Sequence, residues 1–208
     1  HTFEGLRPSA NFPSRSGLLG LLGACLGIGR NERDRLQALA DSVGMAVRVD
    51  ERQVARRDGT ARPLRVMKMT DYHTVKDARE DYTGLKSHET IQTWREYLYD
   101  AEFSVALWMR EEATLNLDTL EKAVQQPFFT PYLGRRSCPL ARPLFHSRVP
   151  AADVVAALQT VAPQGGTIYS EEQISDQMKR VRDVPLIHQP RQFAGRNVYV
   201  RGGEHVSQ

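Results

Sequence analysis

Hydrophobic positions along the chain change their spacing several times, and each change predicts a different element. The segment "SRSGLLGLLGACLGIG", 14–29, is apolar on most sides and predicts a helix that starts near Ser14 or Ser16. Apolar residues at helical spacing predict a second, amphipathic helix over 31–43. Alternation in "MAVRVDE", 45–51, then predicts a strand.

The middle of the chain is more polar and less regular. Two short alternating runs flank "RDGT" within 52–70, which predicts a basic hairpin or a mobile loop. Residues 71–100 have little periodicity before position 91, where we expect a helical turn that contains Trp94, as a core residue, and Arg95. A connection of this length is usually functional or bound to a partner.

The remaining elements complete an α+β pattern. Strands are predicted at 102–109, 166–172 and 196–203, and helices at 116–126 and 151–161. If a strand precedes Pro13, the order is βαββαβ, the ferredoxin-like (RRM-type) arrangement with a long insertion. Because the chain starts at His1 and not at Met, we expect that this first strand is missing from the sequence.

Glycine recurs at three- and four-residue spacing in the first predicted helix. Glycine weakens a helix, so this spacing predicts close packing of the helix against another backbone. A phosphate loop is excluded because no GK[ST] follows, and "GIG" lacks the rest of a dinucleotide fingerprint.

Composition excludes several classes of protein. The 208 residues include 28 Lys and Arg against 25 Asp and Glu, a net charge of +3, so the whole chain does not demand a polyanion. Two distant cysteines exclude a cysteine zinc site, and the histidines show no HxH or HxxxH spacing. The longest apolar run, 17–29, is too short to span a membrane. We therefore expect a cytoplasmic protein without a metal or cofactor.

One segment differs from this balance. Residues 122–152 contain five cations and no carboxylate, and "PFFTPYLGRRSCPLARPLF" at 127–145 adds four prolines and several aromatic side chains. Arginine pairs with phosphate and stacks on bases, and aromatic faces also stack on bases. The segment is therefore either a nucleic-acid contact or a basic surface loop stiffened by proline.

Several long motifs resemble a known family. "RSGLLGLLGACLGI", "DYHTV", "GLKSHETIQTWREYL", "TPYLGRRSCPL", "IYSEE" and "PRQFA" are similar to the Cas5 family of CRISPR-associated proteins, in its subtype I-E form, over nearly the whole chain. The sequence departs most from the family at 52–70. The resemblance implies a ferredoxin-like core at 2–51 and 101–208 and a thumb-like insertion at 52–100.

The resemblance also implies a function. Such proteins are non-catalytic RNA-binding subunits of Cascade, the antiviral surveillance complex. They hold the 5′ handle of the CRISPR RNA, cap the end of the filament of repeated backbone subunits, and help to seat the large subunit. Contact with target DNA is then indirect.

The residues supply the two kinds of contact that a single-stranded handle needs. Phosphates are held by cations and backbone N–H groups, and bases are held by stacking and edge hydrogen bonds. The candidates for RNA binding are Arg15, Lys86, His88, Thr90, Arg95, Tyr132, Gly134, Arg135, Arg136, Ser137 and Cys138. Tyr72 and His73 are candidates for contact with a neighbouring subunit, and an RNA contact is an equal alternative for both.

Two other functions stay open at this point. Lys86 and His88, with tyrosines near them in sequence, could form a metal-independent endoribonuclease site that processes precursor RNA. The protein could instead be purely architectural, with a thumb that inserts between neighbouring subunits.

Overall fold

A computed structural model describes residues 5–64, 66–76, 90–136, 139–162, 165–189 and 191–202. The candidates Lys86, His88, Ser137 and Cys138 lie outside these ranges. The chain divides into two compact units, one of 1–11 with 52–102 and one of 12–51 with 103–208.

Pairs of helices are separated by runs of strands along the chain. The helices are α1 Arg15–Cys25, α2 Arg33–Ser42, α3 Leu117–Gln125 and α4 Val154–Gln159. The strands are β1 Leu6–Arg7, β2 Val43–Val49, β3 Gln53–Ala55, β4 Ala61–Pro63, β5 Met67–Lys76, β6 Thr90–Tyr99, β7 Phe103–Met109, β8 Thr167–Ser170, β9 Met178–Pro185 and β10 Phe193–Arg201.

The larger unit is built on a five-stranded sheet in the order β7-β2-β8-β10-β9, with antiparallel neighbours throughout. Successive residues of a strand point to opposite faces of a sheet. Val43, Met45 and Val47 of β2 accordingly join a core with leucines of α1, α2 and α3, whereas Ala46 packs with α4 on the other face. Both faces of β2 are therefore buried.

The α+β class is confirmed. In the larger unit, the chain order from the first helix is α1-α2-β2-β7-α3, and β2 pairs antiparallel with β7. Beyond this part, β8 occupies the second edge of β2, and β10 and β9 continue the sheet. The sequence did not predict β9, because its charged residues hide the alternation.

The smaller unit contains a long two-stranded ribbon. β5 and β6 pair antiparallel over ten residues each, and β1 adds to β6 in parallel. The helical turn expected around Trp94 is wrong, because this residue lies in β6 opposite Tyr72. Trp94 is also 43% exposed and not a core residue. The predicted "RDGT" hairpin is confirmed as β3 and β4.

The glycines of α1 do not pack against another backbone, so that prediction is wrong. A Cβ atom on Gly23 would lie 3.3 Å from the Leu36 side chain, and one on Gly20 would meet nothing within 4 Å. The helix therefore packs against the side chains of α2. Cys25 is buried as expected, and burial raises the pKa of its thiol.

Arg15, the first residue of α1, is bonded to four parts of the larger unit. Its backbone amide donates to Asp183 Oδ2 at 2.7 Å, and its guanidinium forms an ion pair with Glu171. The guanidinium also donates to the carbonyl oxygens of Ala40 at 2.7 Å and Val43 at 3.1 Å. The start of α1 is thereby joined to α2, β2, β9 and the residue that follows β8.

Arg196 of β10 completes this ion network. It donates to both oxygens of Asp183, at 2.6 and 2.9 Å, and lies 3.4 Å from Glu171. Burial by itself would raise the pKa of Asp183, but the hydrogen bonds from Arg196 and the Arg15 amide lower this pKa overall. Because Asp183 is buried, removal of its carboxylate leaves Glu171 as the one carboxylate that this network offers to two guanidinium groups of low exposure.

A second buried network joins α4 to the sheet. Arg48 of β2 is 1% exposed and forms an ion pair with Asp50 at 2.5 Å. Its guanidinium donates to the carbonyl oxygens of Leu158 at 2.5 Å and Val161 at 2.9 Å, at the C-terminal end of α4. A cation at this end of a helix also complements the helix dipole.

We predict that Asp183→Ala destabilises the protein by about 3–5 kcal/mol, the usual loss when one partner of a buried ion pair is removed. A folded-state pKa below the unfolded value stabilises the fold above the unfolded pKa, and this contribution disappears as the pH falls. The free energy of unfolding should therefore decrease with pH below about 4. Urea titrations between neutral and acid pH measure both effects.

Asp118→Ala is the matched control, because Asp118 forms an exposed ion pair with Arg148. Exposed pairs contribute little to stability. Equal losses from the two substitutions would contradict the importance of the buried network.

Candidate nucleic-acid interface

The segment at 127–136 is attached to the C-terminal end of α1. The amides of Phe128 and Phe129 donate to the carbonyl oxygens of Cys25 and Ala24, each at 3.0 Å. Gly27 has a φ of +68°, and a Cβ atom there would lie 2.8 Å from the ring of Phe128. These contacts fix where the segment leaves the helix.

A tight turn follows. Tyr132 and Pro139 form an isolated antiparallel bridge, and half-buried Leu133 packs against the larger core. Gly134 is exposed with a φ of +85°, and the amide of Arg135 donates to the Leu133 carbonyl at 3.3 Å. The base of the turn is therefore anchored while its tip faces solvent.

The predicted RNA-binding residues of this turn differ in their surroundings. Tyr132 is half-buried, which leaves part of its ring accessible. Arg135 is half-buried and already interacts with another group. Arg136 is exposed, and in the described ranges it has no ion-pair partner. Of these three residues, Arg136 is the most available to a phosphate.

Residues 122–152 contain no carboxylate, but carboxylates from a neighbouring part of the sequence lie close to one of their arginines. Arg148 lies 2.5 Å from Asp118 and 3.0 Å from Glu121, both on α3. The hydrogen bond from Arg148 lowers the pKa of Asp118, and the same contact raises the pKa of Arg148. The positive charge available to a ligand is therefore smaller than the sequence suggests.

Arg15 is buried inside the larger unit, whereas an RNA-binding residue has to be accessible from solvent. It is 4% exposed, and its guanidinium is held by Glu171 and two backbone carbonyls. The carboxylate of Asp183 accepts the amide at the start of α1, where a phosphate was expected. We therefore remove Arg15 from the candidate RNA-binding set.

The ribbon of the smaller unit places its candidates on two faces. On one face, His73 Nε2 lies 3.0 Å from Asp71 Oδ2 and 3.4 Å from the Tyr97 hydroxyl. Arg95 is opposite Asp71 on this face, and its Nε donates to Thr93 Oγ1 at 3.3 Å. His73 therefore shares this face of the ribbon with the Asp71 carboxylate, the Tyr97 hydroxyl and the Arg95 guanidinium.

Tyr72 and Trp94 lie on the other face of the ribbon. Their ring centroids are 5.5 Å apart with a tilt of 53°, and both side chains are about half exposed. Thr90, at the start of β6, is also exposed. Arg95 and Tyr72 therefore cannot contact the same ligand from one face of the ribbon.

Sequence reasoning missed the Asp71–His73–Tyr97 cluster and the pairing of Tyr72 with Trp94. The signal was the period-2 spacing of Asp71 with His73, which is typical of two residues on one face of a strand. It became readable only with the register of β5 against β6.

Neither metal nor membrane chemistry is indicated in the part of the chain that the structure describes. There, His, Cys, Asp and Glu do not form a group of three or more that could hold a metal ion. The helices in these ranges are too short or too polar to cross a membrane.

Comparison with known proteins agrees with the α+β fold and defines the class as CRISPR-associated proteins. Residues 2–199 match the family described as "CRISPR-associated protein (Cas_Cas5)", and the chain belongs to this Cas5 family. It is 57% identical to the "CRISPR system Cascade subunit CasD" of Escherichia coli (strain K12), over 100% of this chain and 92% of that protein. The predicted family resemblance is confirmed.

A solved structure gives the same result at the level of the fold. "Crystal structure of Cas protein" aligns with a TM-score of 0.58 and 25% identity, and it covers 93% of this chain and 82% of the other.

We predict that Gly134→Ala destabilises the turn by about 1–2 kcal/mol, because an L side chain is strained at positive φ. Open space surrounds this position, so a steric clash would not contribute. Thermal unfolding of the full chain measures the effect. Gly20→Ala is the control, because Gly20 has equally open space but lies inside α1. Alanine there should stabilise the protein by about 0.5–1 kcal/mol. A gain from both substitutions would contradict a strained turn.

Proposed function

We propose that this chain is a non-catalytic RNA-binding subunit of a subtype I-E CRISPR Cascade complex. In this proposal it holds the 5′ handle of the CRISPR RNA and caps the end of the filament of backbone subunits in the cytoplasm. The relative named as a Cascade subunit supports the assembly, since 57% identity extends over the full chain. The large subunit is a further partner, and target DNA is contacted indirectly.

The anchored turn at 132–136 is the observation that favours RNA binding. Tyr132 offers part of an aromatic face for base stacking, and exposed Arg136 can pair with a phosphate. Gly134 lacks a side chain at the tip, where a nucleic-acid backbone could approach closely. Fixed attachment to α1 lowers the entropy lost when the turn binds.

The fold supports the proposal at a coarser level. The order of two helices, then β2 paired with β7, then α3, is compatible with a ferredoxin-like core that has one additional helix, α2. Residues 52–100 remain the proposed thumb-like insertion. Arg95 and Thr90 are proposed RNA contacts from this insertion, and Tyr72 and His73 are proposed contacts with a neighbouring subunit.

A metal-independent endoribonuclease is the second candidate, and the Asp71–His73–Tyr97 cluster is the observation that favours it. A histidine beside a carboxylate and a phenol can exchange protons, and Arg95 on the same face could neutralise a phosphate. The side chain of His73 is only 18% exposed, which disfavours direct access by RNA.

We predict that Tyr132→Ala combined with Arg136→Ala weakens binding to RNA that carries the 5′ handle. Loss of one stacked base corresponds to about 1–3 kcal/mol, or roughly 5- to 150-fold in affinity. Filter binding against a scrambled handle measures the loss of preference, and a gel of the same samples detects cleavage.

Arg148→Ala is the control in this experiment, because its guanidinium is paired with carboxylates of α3. The affinity of the Arg148→Ala variant for the handle RNA should equal that of the unmodified chain. If the double variant binds handle RNA normally but fails to assemble with other subunits, the protein is architectural. Cut RNA would favour the endoribonuclease.

A further inference from the structure

The β9–β10 hairpin carries cations that the rest of the fold does not neutralise. Residues 178–201 contain Asp183 as their single carboxylate, and it is buried in the ion network with Arg15 and Arg196. Lys179, Arg180, Arg182 and Arg201 are all exposed. Among the described residues, no carboxylate lies within 4.0 Å of these four side chains, unlike Arg15, Arg48, Arg148 and Arg196.

The register places three of these cations on one face of the sheet. Arg180 is opposite Asn197, and Arg182 is opposite Gly195. Two-residue spacing from these partners along β10 puts Tyr199 and Arg201 on the same face. Lys179 is opposite buried Val198 and therefore belongs to the other face.

This face of the hairpin is not covered by the helices of the described structure. The core on this side contains α4 with Ala46, Ala106 and Trp108, and it extends to Ile168 of β8, the strand next to β10. Beyond β8, Arg180, Arg182, Asn197 and Arg201 are exposed. By contrast, α1 contacts β9 from the opposite face. The surface formed by Arg180, Arg182, Asn197, Tyr199 and Arg201, here called the hairpin face, is left open.

Local contacts orient the two arginines of β9. A Cβ atom on Gly195 would lie 3.1 Å from Arg180 Nε, so the guanidinium of Arg180 lies across this glycine. Arg182 Nε donates to the Phe193 carbonyl at 2.8 Å, which leaves its terminal nitrogens for another acceptor. Oriented guanidinium groups bind phosphate with less loss of entropy than free ones.

We propose that the hairpin face is a second nucleic-acid site, which binds the sugar-phosphate backbone of single-stranded RNA without regard to sequence. Three exposed arginines without a carboxylate partner in the described ranges are complementary in charge to a polyanion. The flat sheet with a half-buried tyrosine among arginines suits single strands, whose bases can lie against a planar surface. Duplex DNA is usually read by a helix or ribbon that enters a groove.

This site is distinct from the turn at 132–136, and binding at the two sites should depend differently on RNA sequence and on salt. The proposed role of the turn includes preference for one handle sequence. The hairpin face supplies affinity that is equal for true and scrambled handles and depends strongly on salt, since each phosphate contact releases counter-ions.

The test compares the full chain with its Arg180→Ala/Arg182→Ala variant, using labelled single-stranded RNA of scrambled sequence over a salt series. We expect an affinity loss of about tenfold or more at fixed salt. The slope of log K against log salt should decrease by about 1.4, the value for two lost phosphate contacts on a single strand. Preference for the true handle should not change.

Single substitutions provide a matched control, because Arg180→Ala and Lys179→Ala remove the same charge from adjacent residues on opposite faces. Arg180→Ala should lower the slope of log K against log salt, and Lys179→Ala should leave this slope unchanged. Equal effects of the two substitutions would mean a diffuse charge effect and would overturn the site. So would unchanged binding of the double variant, or an unmodified chain that does not bind RNA at low salt.

Two further probes test the choice of partner. A DNA duplex and a polyglutamate peptide are offered to the same variants. A loss confined to duplex DNA or to the acidic peptide would overturn the assignment to single-stranded RNA. If the hairpin variants behave like the unmodified chain while Tyr132→Ala/Arg136→Ala loses handle preference, this inference fails and the proposed function stands.

Discussion

The larger unit depends on the desolvated charge at the start of α1. Arg15 is almost fully buried, and a buried guanidinium is tolerated only if its charge and its N–H groups are satisfied. Glu171 and the carbonyl oxygens of Ala40 and Val43 provide these partners for the guanidinium. Asp183 accepts the backbone amide of Arg15, and Arg196 pairs with both Asp183 and Glu171. The network therefore specifies where α1 lies on the sheet, because a displaced helix would leave several charges buried and unpaired.

The position of α1 in turn determines that of the candidate RNA-binding turn. Its last carbonyls accept hydrogen bonds from Phe128 and Phe129, and Leu133 packs against the same core. The helix that carries the buried ion pair of Arg15 therefore also supports the turn that contains exposed Arg136. Binding residues on such a support are pre-oriented, which lowers the entropy lost on association.

Arginine has opposite roles in different parts of this protein. Arg15, Arg48 and Arg196 satisfy buried carboxylates and helix ends, and Arg148 is neutralised by α3. Arg136, Arg180 and Arg182 project from the surface without such partners in the described ranges. A net charge of +3 cannot distinguish these groups, because interaction with a polyanion depends on the local balance of charge and not on the total.

The sequence alone determined the helices α1 and α3, the strands β2 and β7, the "RDGT" hairpin and the family, since these depend on local periodicity, turn chemistry and long motifs. It failed at β6 and β9, where aromatic and charged side chains obscure the alternation of an exposed strand. Only the tertiary structure decided which arginines are available, because residues distant in sequence supply the carboxylates. Arg15 and Asp183 are 168 positions apart and in contact, whereas Arg180 and Arg182 lie in the same strand as Asp183 without a carboxylate partner in the described chain. The strand register, which a linear sequence does not encode locally, makes that distinction.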